Sequence, residues 1–171
     1  MLTLSKIDED AAPPLVPLNI SETIREAAEP FLALAEANGK KLELQIRPGL
    51  NVSGDAEKLR QLVNILLDNA VKYAADGSEI QLLFGGSGRY VRLDVRNLCD
   101  TVPQGDLNRL FDRFYRVDQY RSRQTGGYGI GLSIAAAIVR LHKGKIFAQI
   151  VEEDTICFTT LLPKALENSK S

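Results

Sequence analysis

The sequence is poor in cysteine and histidine. Among its 171 residues are two cysteines, Cys99 and Cys157, and a single histidine, His142. Two cysteines do not make a disulfide framework, and the chain has no paired spacing of cysteine and histidine that would hold a metal. This composition favours a protein of a reducing compartment.

Long apolar runs and an excess of one charge are missing as well. The longest apolar run, 132–139, is far shorter than a bilayer span, and the first residues lack the charged start and apolar block of a signal peptide. With 21 lysines and arginines against 22 aspartates and glutamates, the net charge is −1. A charge so balanced creates no global field that would attract nucleic acid or an anionic membrane. We therefore expect no nucleic-acid partner and no direct membrane contact.

Several catalytic motifs are also absent. The chain has no G-x-S-x-G nucleophile elbow and no H-E-x-x-H zinc motif. Its glycine-rich segment is not followed by the lysine of a P-loop. The sequence therefore offers no motif for a serine hydrolase, a zinc peptidase or a P-loop NTPase.

What is present is the composition of one domain with mixed secondary structure. Apolar residues make up 44% and charged residues 25% of the chain, as in ordinary globular domains. Helical and alternating patterns follow one another without strict βαβ repetition, which predicts an α+β fold with a mostly antiparallel sheet and helices on one face. The predicted helices cover 21–38, with a kink or break at Pro30, then 55–74 and 132–141. The predicted strands cover 42–46, 80–84, 90–95, 145–151 and 156–162, with a turn over 85–88.

The helix over 55–74 has an apolar face and a polar shoulder. The apolar side chains recur every three or four residues, which is typical of a face in the core. They are Leu59, Leu62, Val63, Leu66, Leu67, Ala70 and Val71. Asn69 and Lys72 share a shoulder of this face, whereas Asp68 is predicted to point to the opposite, solvated side. An amide oxygen can bind a metal ion and an ammonium can bind phosphate, but an ordinary surface with a snorkelling lysine gives the same pattern.

Three alternating glycines, Gly127, Gly129 and Gly131, lead into the helix that is predicted from Leu132. Glycine adopts positive φ easily, so the backbone can close around a ligand. The helix that follows offers N–H groups and the positive end of its dipole to phosphate. Glycine-rich turns before helices also serve packing, so this segment alone leaves both interpretations open.

Three segments together resemble the sequence boxes of sensor histidine kinases. Residues 66–73, Leu-Leu-Asp-Asn-Ala-Val-Lys-Tyr, resemble the N box, and residues 110–118, Leu-Phe-Asp-Arg-Phe-Tyr-Arg-Val-Asp, resemble the F box. Residues 127–132, Gly-Tyr-Gly-Ile-Gly-Leu, resemble the second glycine box. The boxes occur in the order and spacing of that family, which is far more specific than any one of them. The likeness extends over about 4–164, and 4–8 are similar to the end of the dimerising helical domain.

The resemblance implies a Bergerat (GHKL) fold, a two-layer α/β sandwich whose mixed, mostly antiparallel sheet is covered on one face by three helices. It implies that ATP is held between the N-box helix and a lid. Asn69 would coordinate Mg²⁺, and Lys72 and Tyr73 would contact phosphate or the nearby nucleotide. The second glycine box would line the triphosphate through Gly127, Tyr128, Gly129, Ile130, Gly131 and Leu132.

The implied lid spans about 112–125 and is anchored by Phe111 and Phe114 beside the nucleotide. Its polar, cationic composition agrees, since a loop of this length without a core is functional or disordered. Arginine there could neutralise charge on the transferring phosphoryl group. Arg116 is therefore expected to be catalytic together with Asn69 and Lys72, whereas plain solvated charge explains Arg121 and Arg123 equally well.

Two positions depart from the pattern of the family. The first glycine box usually reads D-x-G-x-G, but residues 97–101 here read Asn-Leu-Cys-Asp-Thr. Asn97 takes the place of the aspartate that accepts a hydrogen bond from adenine. Its carbonyl oxygen accepts the same bond without a charge, so adenine affinity is expected to fall by about 1 kcal/mol. Ile65 stands where the family often has a second asparagine, so weaker metal binding is expected.

The resemblance divides the chain into 1–17, a linker and the end of the dimerising domain, 18–165, the catalytic ATP-binding domain, and 166–171, a polar tail. It implies transfer of the ATP γ-phosphate to a histidine on the dimerisation domain of a longer kinase, with a response regulator as a further partner. His142 ends the third helix and is not the expected acceptor. We expect this fragment to be monomeric and cytoplasmic, and its parent to be anchored in the cell membrane. The alternatives are a degenerate GHKL domain with a purely regulatory or binding role, an anti-sigma-type serine kinase and a gyrase-like ATPase.

Overall fold

The chain forms one five-stranded sheet with helices packed on it, and a small second sheet beside them. The structure is a computed structural model that describes residues 15–112 and 128–165. The helices are α1 (Ile20–Ala28), α2 (Pro30–Ala37), α3 (Ala56–Tyr73) and α4 (Tyr128–Leu141), with a short 3-10 helix at Leu107–Phe111. The strands are β1 (Val16–Asn19), β2 (Lys41–Ile46), β3 (Asn51–Gly54), β4 (Glu79–Ser87), β5 (Tyr90–Leu98), β6 (Lys145–Val151) and β7 (Thr155–Pro163).

The main sheet has the strand order β2-β4-β5-β7-β6. Strands β2 and β4 pair in parallel, while β4–β5, β5–β7 and β6–β7 pair antiparallel. The parallel pair requires a crossover, and α3 lies in the connection between β2 and β4. The predicted α+β fold with a mixed, mostly antiparallel sheet is confirmed.

The core lies between α3 and one face of the sheet. Every residue that the helical periodicity predicted for the apolar face of α3 is buried, from Leu59 to Val71. Alternate residues of β4, namely Ile80, Leu82 and Phe84, are buried on the facing side of the sheet. Each such aliphatic side chain adds about 1.5–3 kcal/mol to the stability when it is fully buried. This packing fixes the position of α3 over the sheet.

The first predicted helix is divided in two at Pro30. The pattern allowed a kink or a break there, and the structure has a break, with α1 ending at Ala28 and α2 beginning at Pro30. Proline fits the first position of a helix, because its missing N–H has no helical partner there. The three predicted helices therefore correspond to three helical segments on one face of the sheet, the first of them divided into α1 and α2. Within the ranges that the structure describes, none of the helices has the length and hydropathy that crossing a bilayer requires.

The cap of α1 is Asn19, two residues before the predicted start of the helix at 21. The Asn19 side chain accepts a hydrogen bond from the N–H of Glu22 at 3.1 Å. Ser21 lies two residues further on, where its hydroxyl donates to the Arg47 carbonyl at 2.6 Å and accepts from the Leu50 N–H at 3.0 Å. Both residue types cap helices equally well, so the long-range partners of Ser21 decide between them.

The hairpin of β4 and β5 is longer than predicted. Gly85 and Gly86 were predicted in the turn, but they lie in β4, and the last paired residues are Ser87 and Tyr90. The turn needs positive φ only at Gly88, where φ is 61°. A two-residue turn of this kind suits the twist of an antiparallel pair, so the strands continue to its edge.

Candidate functional site

The end of α3 is joined to the end of β5. Ala74, which directly follows α3, forms an antiparallel bridge with Cys99. The N–H of Ala75 donates to the carbonyl of Leu98 at 2.9 Å. These contacts bring the last two turns of α3 and the last residues of β5 to the same end of the sandwich.

Three of the predicted site residues, Asn69, Lys72 and Tyr73, stand on those last two turns of α3. Asn69 and Tyr73 are half-buried, while Lys72 reaches solvent. Its ammonium nitrogen lies 3.0 Å from Oδ2 of Asp68. The prediction that Asp68 points to the opposite side is wrong, because four residues advance a helix by about 400° and leave the two side chains only about 40° apart.

Lys40 holds the last turn of α3 from outside the helix. Its ammonium donates to the Val71 carbonyl, with 2.6 Å between nitrogen and oxygen. The last four carbonyls of a helix have no helical partner and carry the negative end of its dipole, so a cation there is stabilising. Sequence analysis missed Lys40, because its partner lies 31 residues away and no local pattern marks such a contact.

Asn97 places an unsatisfied acceptor at this end of the sheet. The residue is 1% exposed, and its Nδ2 donates to the Leu98 carbonyl at 3.1 Å. Its Oδ1 is buried and has no hydrogen-bond partner in the part of the chain that the structure describes. Its neighbours across the sheet are Ile80 and Ile156, which are both buried. A buried oxygen in apolar surroundings costs about 1–3 kcal/mol when it lacks a donor, so a ligand N–H would be favoured here.

The helix after the glycines begins earlier than predicted. α4 starts at Tyr128 rather than Leu132, so Gly129 and Gly131 belong to its first turn instead of a loop. A Cβ on Gly131 would lie 3.8 Å from Cγ2 of Ile65. Gly131 therefore lies against α3, one turn before Asn69. The glycine allows the backbone of α4 to approach α3 closely, and positive φ is not required of it. Of the predicted glycines, Gly127 lies outside the described residues.

The first turn of α4 has the general properties of an anion-binding element. Ile130 is half-buried and Leu132 is 7% exposed, so this turn is packed onto the core. The first four N–H groups of a helix have no helical acceptor, and they carry the positive end of the dipole. Together these two properties make a helix N-terminus suitable for phosphate.

Phe111 anchors the segment that leads toward the predicted lid. It ends the 3-10 helix, and its ring meets that of Phe158 in β7 edge-on, with 6.0 Å between centroids and 86° between planes. Leu110 beside it is buried. The role of Phe111 as an anchor of the lid beside the nucleotide stays a prediction. Phe114 and Arg116, together with the rest of the predicted lid from 113 onward, lie outside the described residues.

The departures from the family pattern have clear structural counterparts. Ile65 takes part in the contact of α3 with α4 rather than facing a metal. Asn64 beside it is exposed and lies about 140° round the helix from Asn69, so it does not substitute for the missing asparagine. Asp100 follows β5 and is exposed.

The side chains at this end of the sandwich suit a Mg²⁺ ion that is held mainly by the phosphates of a bound substrate. Across 15–112 and 128–165, no three residues among His, Cys, Asp and Glu form a cluster that could hold a metal. Magnesium is commonly bound by one or two protein oxygens, with substrate phosphates and waters supplying the rest. The amide oxygen of Asn69 fits that demand, whereas the Asp68 carboxylate is paired with Lys72.

The fold and the site define an ATPase-type domain of the Bergerat (GHKL) class. The chain belongs to the family of histidine kinase-, DNA gyrase B- and HSP90-like ATPases, which matches residues 54–166. It is 34% identical over 161 residues to the signal transduction histidine-protein kinase BaeS of Escherichia coli (strain K12), covering 94% of this chain and 34% of that protein. It is 37% identical over 124 residues to the sensor protein VanS of Enterococcus faecium, covering 72% of this chain and 32% of that protein. The chain thus spans about a third of the length of these curated relatives.

Solved structures show the same fold. The mycobacterial sensor histidine kinase MprB matches with a TM-score of 0.76 at 22% identity, over 88% of this chain and 99% of that chain. The catalytic domain of histidine kinase ThkA matches with a TM-score of 0.77 at 23% identity, over 90% of this chain and 97% of that chain. The expected two-layer sandwich of helices on a mixed sheet is confirmed by these likenesses.

Proposed function

We propose that this domain binds ATP with Mg²⁺ at the end of the sandwich where α3, β5 and α4 meet, and that it transfers the γ-phosphate to a histidine of a separate dimerisation domain. The observation that carries the proposal is the buried Oδ1 of Asn97, which has no hydrogen-bond partner among the described residues. It lies at the same end of the sheet as Lys72. The N-terminus of α4 packs on α3 close to Asn69.

Asn97 would recognise the adenine base of ATP. Its Nδ2 is already engaged with the Leu98 carbonyl, so its oxygen is held as an acceptor. The amino group of adenine donates a hydrogen bond, whereas guanine carries a carbonyl at the corresponding position. Two facing acceptors repel and leave the asparagine oxygen unpaired, which costs about 1–3 kcal/mol. Asn97 would therefore select adenine over guanine.

The phosphates would extend from the base toward α4. Lys72 would contribute a positive charge, and the first turn of α4 would contribute N–H donors. Asn69 would hold Mg²⁺ through its amide oxygen, and the bound ion would neutralise charge on the phosphates. Lys40 would stabilise the turn that presents Lys72 and Tyr73.

Phosphoryl transfer needs positioning and charge neutralisation more than covalent help from the protein. A ring nitrogen of the acceptor histidine would attack the γ-phosphorus while the bond to the β,γ-bridging oxygen breaks, so that ADP leaves. Arg116 is proposed as a further cation for this step. His142 is 4% exposed, and both its ring nitrogens are hydrogen-bonded, which supports a separate acceptor.

We propose that the whole protein is a membrane-anchored sensor kinase whose catalytic domain works in the cytoplasm and is itself monomeric. The relatives that carry the names sensor protein and signal transduction histidine-protein kinase support this. A dimerisation domain with the acceptor histidine and a response regulator are its proposed partners.

Titration calorimetry with a non-hydrolysable ATP analogue tests the nucleotide site. We expect binding that depends on Mg²⁺ in the wild type and a loss of that dependence in Asn69→Ala. The matched control is Asn64→Ala, because Asn64 is an exposed asparagine of the same helix and its removal should leave binding unchanged. A flat titration of the wild type at millimolar nucleotide would instead identify a domain with only a regulatory role.

A second assay tests the transfer. The domain is incubated with radiolabelled ATP and an isolated histidine-containing dimerisation domain of a sensor kinase. A phosphorylated product that is lost in acid and stable in base indicates phosphohistidine. An acid-stable product would point to a serine kinase.

A further inference from the structure

Helices α3 and α4 lie antiparallel, with a contact at each end. At the end near the proposed nucleotide site, Gly131 of α4 lies against Ile65 of α3. At the other end, His142 follows α4 and meets Asp55, the residue that caps α3. The two contacts are 11 residues apart along α4, from Gly131 to His142, and 10 residues apart along α3, from Asp55 to Ile65. They are therefore about three helical turns from each other.

The contact at the far end is a specific hydrogen bond. The N–H of Asp55 donates to Nε2 of His142 at 3.1 Å. Nδ1 lies 2.8 Å from the carbonyl of Ile138, which can only accept, so Nδ1 carries the proton. The imidazole is therefore neutral, with one nitrogen donating within its own helix and the other accepting from α3.

The surroundings leave this imidazole little freedom. His142 is 4% exposed. A Cβ on Gly54 would lie 3.0 Å from Cδ2 and Nε2 of the ring, so the residue before Asp55 presses its backbone against it. The Asp55 carboxylate accepts from the N–H groups of Glu57 and Lys58 at 3.0 and 3.3 Å. The bond thus joins the capped start of α3 to the residue that follows the end of α4.

We infer that His142 is a positioning residue for the nucleotide site: it sets the register of α4 against α3. Apolar contacts between helices are non-directional and tolerate small shifts along the axis, whereas a buried hydrogen bond fixes one position because the alternative leaves an amide unpaired. A shift of α4 along α3 would move its first-turn N–H groups relative to Asn69. This inference rests on the proposed function, because it concerns the geometry of that site.

Two substitutions distinguish the hydrogen bond that Nε2 of His142 accepts from the packing of its ring. His142→Gln places a carbonyl oxygen at about the position of Nε2 and keeps the acceptor for Asp55. His142→Asn keeps an amide at the position of Nδ1 and leaves the Asp55 N–H unpaired. Both variants replace the ring by a smaller amide side chain. Their melting temperatures show how much general stability each one loses. Ile24→Val is the stability control, because Ile24 is buried in α1, away from the contact between α3 and α4.

The readouts are the dissociation constant of an ATP analogue, measured well below each melting temperature, and NMR spectra without nucleotide. We expect His142→Asn to raise the dissociation constant by about threefold to tenfold, and His142→Gln and Ile24→Val to stay within about twofold of the wild type. In the nucleotide-free spectra, the amide signals of Gly131 and Ile65 should shift in His142→Asn and return toward the wild type in His142→Gln. Long-range proton–nitrogen spectra should show the proton on Nδ1.

Two results would overturn the inference. One is a folded His142→Asn variant with unshifted Gly131 and Ile65 signals, and the other is a proton on Nε2 in the wild type. If the wild type binds no analogue while the amide shifts follow the expected order, the register role stands and the proposed function fails. If the wild type binds and the shifts are absent, the proposed function stands and the role of His142 fails.

Discussion

The ammonium of Lys72 lies 3.0 Å from a carboxylate oxygen of Asp68, one turn earlier on α3. This carboxylate competes with phosphate for the same cation, and an exposed pair at this spacing is worth about 0.3–0.5 kcal/mol. Asp68→Asn should therefore tighten binding of an ATP analogue by about twofold. Calorimetry at low and high salt measures the gain, which should shrink at high salt because the pair is exposed.

The control for Asp68 is Glu57→Gln, which removes the same charge from the first turn of α3, and it should leave the affinity unchanged. Weaker analogue binding in Asp68→Asn would show that its carboxylate assists the metal instead of competing for Lys72.

Asn97→Leu should change stability and binding in opposite directions. The substitution removes a buried oxygen that finds no donor in 15–112 or 128–165, so the free energy of unfolding should rise by about 1 kcal/mol without nucleotide. Binding of an ATP analogue should weaken about tenfold, and the preference over the GTP analogue should disappear. Chemical unfolding and calorimetry measure the two effects.

Thr160→Val is the matched control for Asn97→Leu. The hydroxyl of Thr160 is also buried without a partner in the described part of the chain, and it lies in β7 within the core. This substitution should stabilise the fold and leave nucleotide affinity as it was. A parallel change of affinity in both variants would count against base recognition by Asn97.

Glycine is required at position 144 because a side chain has no room there, whereas position 85 has room for one. A Cβ on Gly144 would overlap the carbonyl oxygen of Leu161 and lie 2.7 Å from Cδ2 of Leu162. Gly144→Ala should lower the free energy of unfolding by about 2–3 kcal/mol. Gly85→Ala meets no atom within 4 Å and should raise it by about 0.5–1 kcal/mol, since glycine weakens a strand. Urea unfolding of both variants measures the difference, and equal stabilities would contradict this account of Gly144.

Cys157 should make the fold sensitive to alkaline pH. Burial raises the pKa of its thiol above the usual 9.0, and the nearby Asp94 carboxylate raises it further, against the lowering effects of Thr159 and Arg96. Above pH 9 the unfolded chain loses this proton while the folded chain keeps it. The free energy of unfolding therefore falls as pH rises from the unfolded pKa to the folded one.

Urea unfolding between pH 7 and pH 10, with Cys157→Ala as the reference, measures this contribution. The wild type should lose more stability than the variant over that interval. Identical pH profiles would show that the thiol does not titrate differently in the two states.

The sequence predicted the parts of the fold that depend on local patterns. The apolar row from Leu59 to Val71 lies in the core because its spacing matches the helical turn. The start of α4 was missed because Gly129 and Gly131 are poor helix formers, and packing of the first turn on Ile65 overrides that preference. The pairing of β1 with β3 was missed because four-residue strands carry little alternation, and β1 contains Pro17.

The candidate site was predictable where one helix carries it and less so elsewhere. Asn69 and Lys72 share a helix, so their common shoulder follows from the spacing. Lys40 and His142 reach partners 31 and 87 residues away, and no pattern in one sequence indicates such contacts. The roles of Asn69, Lys72 and Asn97 toward nucleotide stay predictions.

The two ends of the described chain leave from one corner. β1 begins at Val16 and pairs with β3, while Ala165 donates its N–H to the carbonyl of Asn51 in β3 at 3.0 Å. α3 starts just after that corner, and its 18 residues carry Asn69 toward the opposite pole, about 20 Å away. A linker joining 165 to 16 would thus yield a circular permutant with new termini elsewhere, in which the end of the sandwich that carries Asn69 is left intact. A module fused at residue 16 or 165 would therefore be attached at the end of the domain opposite Asn69 and Lys72.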